Sequence, residues 1–84
     1  RLLRGYRARR RAECEQLGTA LADGDFQTVS ALAHGLVGSG GLYGLQAISD
    51  IGASLEAAAN AGDAAGAQAA LAELREYFAR LVIE

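Results

Sequence analysis

The chain contains one histidine, His34, in the stretch AHGLVGSGGLYGL that runs from Ala33 to Leu45. Neutral imidazole keeps a lone pair near physiological pH, so an exposed ring nitrogen can act as a nucleophile without a separate base to activate it. Metal chemistry fits poorly: the sequence offers one His and one Cys, Cys14, with no ligand spacing between them. There is also no glycine-rich phosphate loop and no kinase signature, so nucleotide chemistry has no anchor in this sequence. A lone exposed histidine is, by composition alone, a solvated residue. What decides its role is the face of the element that carries it.

At about 100° per residue, Gln27, Ser30, Gly38 and Gly41 fall within roughly 40° of His34 around a helix. Phe26, Val29, Ala33 and Leu36 instead form an apolar stripe at helical spacing that points away from it. His34 therefore stands off the core face, among glycine and serine. Glycine inside a helix costs about 0.5–1 kcal/mol relative to alanine, and this chain uses alanine freely. Gly35 and Gly38 are read as clearing the way for another protein's surface to approach the imidazole. Gly40 and Gly41 are read as ending the helix and turning the chain.

Three breaks divide the sequence: ADGDF at Ala22 to Phe26, the glycine cluster at Gly38 to Gly41, and NAGDA at Asn60 to Ala64. In two of them a Gly-Asp pair supplies a helix stop followed by an N-cap, at Asp25 and Asp63. The spacing predicts four helices over about 2–22, 25–39, 42–61 and 63–83. Leu45, Ile48, Gly52, Leu55 and Ala59 stripe the third, and Ala67, Leu71, Leu74, Phe78 and Leu81 the fourth. In the first, Cys14, Leu17 and Leu21 continue toward Leu3 and Tyr6 only by passing through arginines. Cys14 is expected as a buried structural thiol, and Tyr43 is expected to pack over the bundle end. Four amphipathic helices on short links predict an all-α, antiparallel up-down-up-down four-helix bundle.

Composition agrees with that class. The 84 residues fit one domain, Pro, Trp and Met are absent, every basic residue is arginine, and the net charge is -2. No apolar run is long enough to span a bilayer, and no signal-peptide pattern is present. The chain starts at Arg1 rather than Met, and is expected to be a piece of a longer protein. The cluster RGYRARRR, Arg4 to Arg11, is read first as a solvated helix face, with docking to a protein partner, nucleic acid or a membrane as open alternatives.

The stretch AHGLVGSGGLYGLQAISDIGASLE, Ala33 to Glu56, resembles the signature of histidine phosphotransfer (HPt) domains of bacterial phosphorelays. That family's pattern is a His, then a hydrophobic residue, Lys, Gly and Ser or Ala, a Gly about ten residues on, and a Leu-Glu pair on the next helix. Here the corresponding positions are His34, Leu36, Val37, Gly38, Ser39, Gly44 and Leu55-Glu56. All match except Val37, which stands where the family carries lysine. The resemblance implies that His34 accepts a phosphoryl group from a receiver-domain aspartyl phosphate and passes it to another receiver. It also implies that Glu56 accepts a hydrogen bond from the ring's Nδ1 and leaves Nε2 free to react.

Transfer of this kind depends on positioning and charge, so the receiver can bring Mg²⁺ and a lysine while this domain brings only the nucleophile. The expectation is a cytoplasmic, monomeric phosphocarrier without cofactor, metal or independent turnover. Its partners are response-regulator receivers and a sensor histidine kinase, not nucleic acid or membrane. Its partner face is Ser30, Gly35, Gly38, Ser39 and Gly41. Alternatives are an HPt-like interaction module that is not phosphorylated, and a plain helical adaptor. Register arguments complete the expectations. Pairing across Gly40-Gly41 sets His34 level with Ala47 to Gly52, short of Glu56. Pairing about Gly24 sets it level with Cys14, with Arg10 or Arg11 within a turn.

Overall fold

The chain stops and restarts its helices by local chemistry. In a computed structural model, which describes residues 2–42 and 45–80, α1 (Leu2–Ala22) ends where Gly24 takes a φ of 71°. The Asp25 N–H then bonds to the Ala20 carbonyl and the Gly24 N–H to that of Leu21. The same pair of bonds closes α3 (Gln46–Asn60), where Gly62 has a φ of 68°, Asp63 reaches back to Ala58 and Gly62 to Ala59. A left-handed residue at this position satisfies two otherwise orphaned carbonyls, and glycine adopts it without a Cβ penalty. Each aspartate then caps the next helix. Asp25 accepts from the Thr28 N–H at 3.2 Å and the Thr28 hydroxyl at 2.6 Å at the start of α2 (Phe26–Leu42). Asp63 accepts from the Gly66 N–H at 3.0 Å at the start of α4 (Ala64–Arg80). Both Gly-Asp readings hold.

The four helices form the expected bundle: α2 packs most closely on α3, and α3–α4, α4–α1 and α1–α2 complete the ring. The core is built from Leu17 of α1, Val29 and Leu36 of α2, Ile48 and Leu55 of α3, and Leu71 and Leu74 of α4, all essentially inaccessible. Fully burying such a side chain contributes roughly 1.5–3 kcal/mol each, so this small set dominates the favourable side of the balance. Cys14 is buried in the same cluster and unbridged, in keeping with a structural thiol. No helix among the described residues is long and apolar enough to cross a membrane.

One expectation fails. α2 does not end at residue 39 and turn at Gly40-Gly41; it runs through the glycines to Leu42, and α3 begins at Gln46 rather than 42. The reason is packing. Gly40 is buried, and a Cβ built there would sit 2.7 Å from both the backbone N and the Oγ of Ser49. Its glycine lets α3 come against the α2 backbone, and that close packing offsets the poor helix propensity. The Leu45 N–H caps the helix on the Gly40 carbonyl at 2.7 Å. Gly52 makes the reciprocal contact from α3, with a Cβ there meeting Leu36 Cβ at 3.0 Å and the Ala33 and Val37 backbone at 3.1 Å. Ser49, buried, donates its hydroxyl to the Val37 carbonyl at 2.7 Å and fixes the register.

The other limits shift less: α2 starts at Phe26, α3 ends at Asn60, and α4 starts at Ala64. The expected end of the fourth helix at 83, its stripe residue Leu81, Gly44 and the packing of Tyr43 lie outside the described residues.

These contacts predict opposite outcomes for two alanine substitutions in one helix. Gly40→Ala should lower the unfolding free energy by about 1–2 kcal/mol, overpacking outweighing the better propensity. Gly35→Ala, whose Cβ would meet open space, should raise it by about 0.5–1 kcal/mol. Urea titrations followed by circular dichroism check both. A pH prediction comes from the cap of α2. The hydroxyl and then the amide of Thr28 hold the Asp25 carboxyl below its ordinary value. A lowered folded pKa means that this stabilisation is complete above the ordinary carboxylate range and disappears as pH falls through the lowered value. Asp25→Ser keeps a cap that does not titrate, so its urea midpoint should fall less than the wild type's between neutral pH and pH about 2.

Candidate functional site

His34 sits in the middle of α2 on the solvent side, its side chain 78% exposed. Its Nδ1 lies 3.2 Å from Oε2 of Glu56 on α3, a carboxylate that is itself 28% exposed. A carboxylate oxygen only accepts, so at neutral ring charge the proton sits on Nδ1 and the lone pair on Nε2, facing water. One helical turn earlier, the Ser30 hydroxyl donates to Oδ1 of Asn60 at 2.8 Å. These two polar links run along the outer seam between α2 and α3, above the buried line of Val29, Ala33, Leu36 and Gly40.

The register that delivers Glu56 to His34 differs from simple pairing across Gly40-Gly41. Because α2 continues to Leu42, the hairpin pivots near Leu45, and the level of His34 moves about two turns along α3, from Ala47–Gly52 to Glu56. Gly52 is then free to serve as the contact point beneath Ala33 and Val37. The contact could not be derived from the sequence because the glycine run read as a turn.

Of the expected partner-face residues, Gly35 and Gly38 are exposed, and a Cβ at either would meet nothing within 4 Å. Neither glycine is explained by packing among the described residues. Gly41 is exposed as well, its Cβ position 3.8 Å from Ser49 Oγ. Ser30 is half-buried and engaged with Asn60. Ser39, half-buried, is rotated by about 140° from His34 and does not share its face. Two residues were missed. The sequence spacing places Asn60 only in a turn and Leu42 in the next helix, whereas Asn60 accepts from Ser30 and Leu42 stands 81% exposed at the end of α2. Leu42 lies on the side of α2 that carries Gly35 and Gly38.

Charge is distributed unevenly. Arg11 lines the groove between α1 and α4 with Cys14, Glu15, Arg75 and Phe78, and Arg75 reaches across Gly18. Arg11 is thus turned to α4 and not to the α2–α3 seam; level along the axis does not mean the same side of α1. The side chains of Arg4, Arg7 and Arg10 lie outside the described residues, and Arg9 and Arg11 are exposed.

The carboxylate contact makes a spectroscopic prediction. Long-range ¹H–¹⁵N spectra at a pH where the ring is neutral should show His34 as the Nδ1–H tautomer, and Glu56→Ala should shift it toward the Nε2–H form common in free imidazoles.

Compared with known proteins, the chain matches the family model described as the Hpt domain over residues 1–83. No curated protein and no solved structure matches it significantly. The family match spans almost the whole chain and falls on a four-helix bundle with an exposed histidine held at Nδ1, and on this ground the chain belongs to the Hpt domain family of phosphorelay signalling.

Proposed function

We propose that this domain is a phosphorelay carrier in which His34 is the phosphoacceptor, taking a phosphoryl group from the aspartyl phosphate of one receiver and passing it to another. Hpt domains are phosphotransfer carriers as a family, and the observation that carries the residue assignment is the His34–Glu56 pair at 3.2 Å on an open face. Nε2 attacks phosphorus in line with the aspartyl oxygen, the P–O bond breaks, and the carboxylate leaves. The Nδ1 proton stays in place, so the product ring carries a positive charge that the Glu56 carboxylate offsets. Glu56 is a positioning residue here, with no contact to the reacting phosphorus.

The partner face is formed by Gly35, Gly38 and Gly41 with Ser30 at its edge and Leu42 at its end. Smooth backbone around the nucleophile allows a receiver's active-site rim to reach Nε2. Mg²⁺ and the catalytic lysine belong to the receiver, and the domain works as a monomer in the cytoplasm without turnover of its own.

The test is incubation with a phosphorylated receiver, followed by assay for acid-labile, base-stable label. His34→Gln should abolish the label. Glu56→Ala should slow its appearance roughly tenfold, the low end of what a hydrogen bond to a charged group contributes, since the pair is open to water. Label persisting in His34→Gln, or receiver binding without any label, would overturn the proposal.

A further inference from the structure

All eight basic residues are arginines, and they lie within residues 1–11 and at 75 and 80. Neither α2, which carries His34, nor α3, which carries Glu56, contains one, and neither do the segments joining them to α1 and α4. Arg11 and Arg75 line the groove between α1 and α4. The fixed charge nearest to the His34 ring in its own helix pair is the Glu56 carboxylate, which is negative. A phosphoryl group on Nε2 brings a charge of roughly −1.5 to −2 at neutral pH. Glu56 stabilises the ring but not the phosphoryl oxygens.

Resting on the carrier reading above, we infer that the α2–α3 pair holds the phosphoryl group on His34 without a cation of its own. The phosphohistidine is then a high-energy donor form, and the transfer equilibrium is set toward partners that supply the positive charge themselves. The step balances as follows: the P–Nε2 bond breaks, a receiver aspartate oxygen forms the new P–O bond, and the ring returns to neutral imidazole with its proton still on Nδ1. Each charge that would hold the dianion on this side of the reaction is absent from α2 and α3, so the domain passes phosphate on and stores little of it.

Position 37 controls this property. Val37 lies three residues after His34, half-buried, with its carbonyl taken by Ser49 and its backbone against Gly52. Its side chain adds no charge. A lysine here, or at the open Gly38 one turn from His34, would set an ammonium within reach of the phosphoryl oxygens.

The experiment uses phosphoramidate as a partner-free donor, the P–N bond of the reagent breaking with release of ammonia. At fixed phosphoramidate and ammonium, ³¹P NMR gives the ratio of phosphorylated to free His34 for the wild type, Val37→Lys, Val37→Gln and Gly38→Lys. Both lysine variants should raise the ratio about fivefold at low ionic strength over the wild type and Val37→Gln, and the gain should collapse in high salt. Gly38→Lys tests the same charge at a site where nothing crowds the new side chain, so a poorly folded Val37→Lys does not decide the matter. Label on His34 with equal ratios in all four proteins overturns this inference and leaves the carrier reading standing. Absence of label on His34 in every protein overturns both.

Discussion

Two helices can come backbone to backbone only where no side chain separates them, and that constraint governs this molecule. Gly40 on α2 and Gly52 on α3 leave no room for a Cβ on either side of the contact. With the pair drawn together and its register held by the Ser49 hydroxyl on the Val37 carbonyl, the short reach of an imidazole and a glutamate suffices to bridge the outer seam. The core follows from the same closeness, since Leu36, Ile48 and Leu55 fill the interior that the hairpin defines. The glycines of α2 therefore divide into two kinds. Gly40 serves the inside of the bundle, while Gly35 and Gly38 lie on a surface that no described residue covers.

The charges divide along the same helices. α2 and α3 carry the exposed histidine and its carboxylate partner and no arginine; every arginine of the four helices lies in α1 or α4. On the proposed carrier function, this decides where the negative charge of the phosphoryl group is met. A site that neutralises the group itself keeps it; a site that leaves neutralisation to the incoming protein lets it go when that protein binds.

Much of this was legible from the residues. The Gly-Asp pairs at Gly24-Asp25 and Gly62-Asp63 mark the ends of helices because each residue has one strong local preference, and both turns form as read. The apolar stripes gave the core, and the family pattern around His34 pointed to Glu56. The glycine run misled, because a buried glycine at a helix crossing and a glycine at a turn look alike until the partner helix is known. That single ambiguity displaced the register of α2 on α3, and with it the expected neighbours of His34. Arg11 shows a second limit: axial level can be counted along a helix, but which neighbour a side chain faces depends on the rotation of the whole helix in the ring.

The paired turns at Gly24 and Gly62 also bear on how the chain reaches its shape. Each closes a helical hairpin through bonds spanning only a few residues, so little entropy is spent on closing either loop. Most of the remaining packing joins helices that are neighbours in sequence, the arrangement associated with rapid folding. The exception is the seam between α1 and α4, which joins the two outermost helices of the sequence and is the long-range contact of the ring. That seam, lined by Arg11 and Arg75, closes the ring without drawing on the α2–α3 pair that carries the histidine.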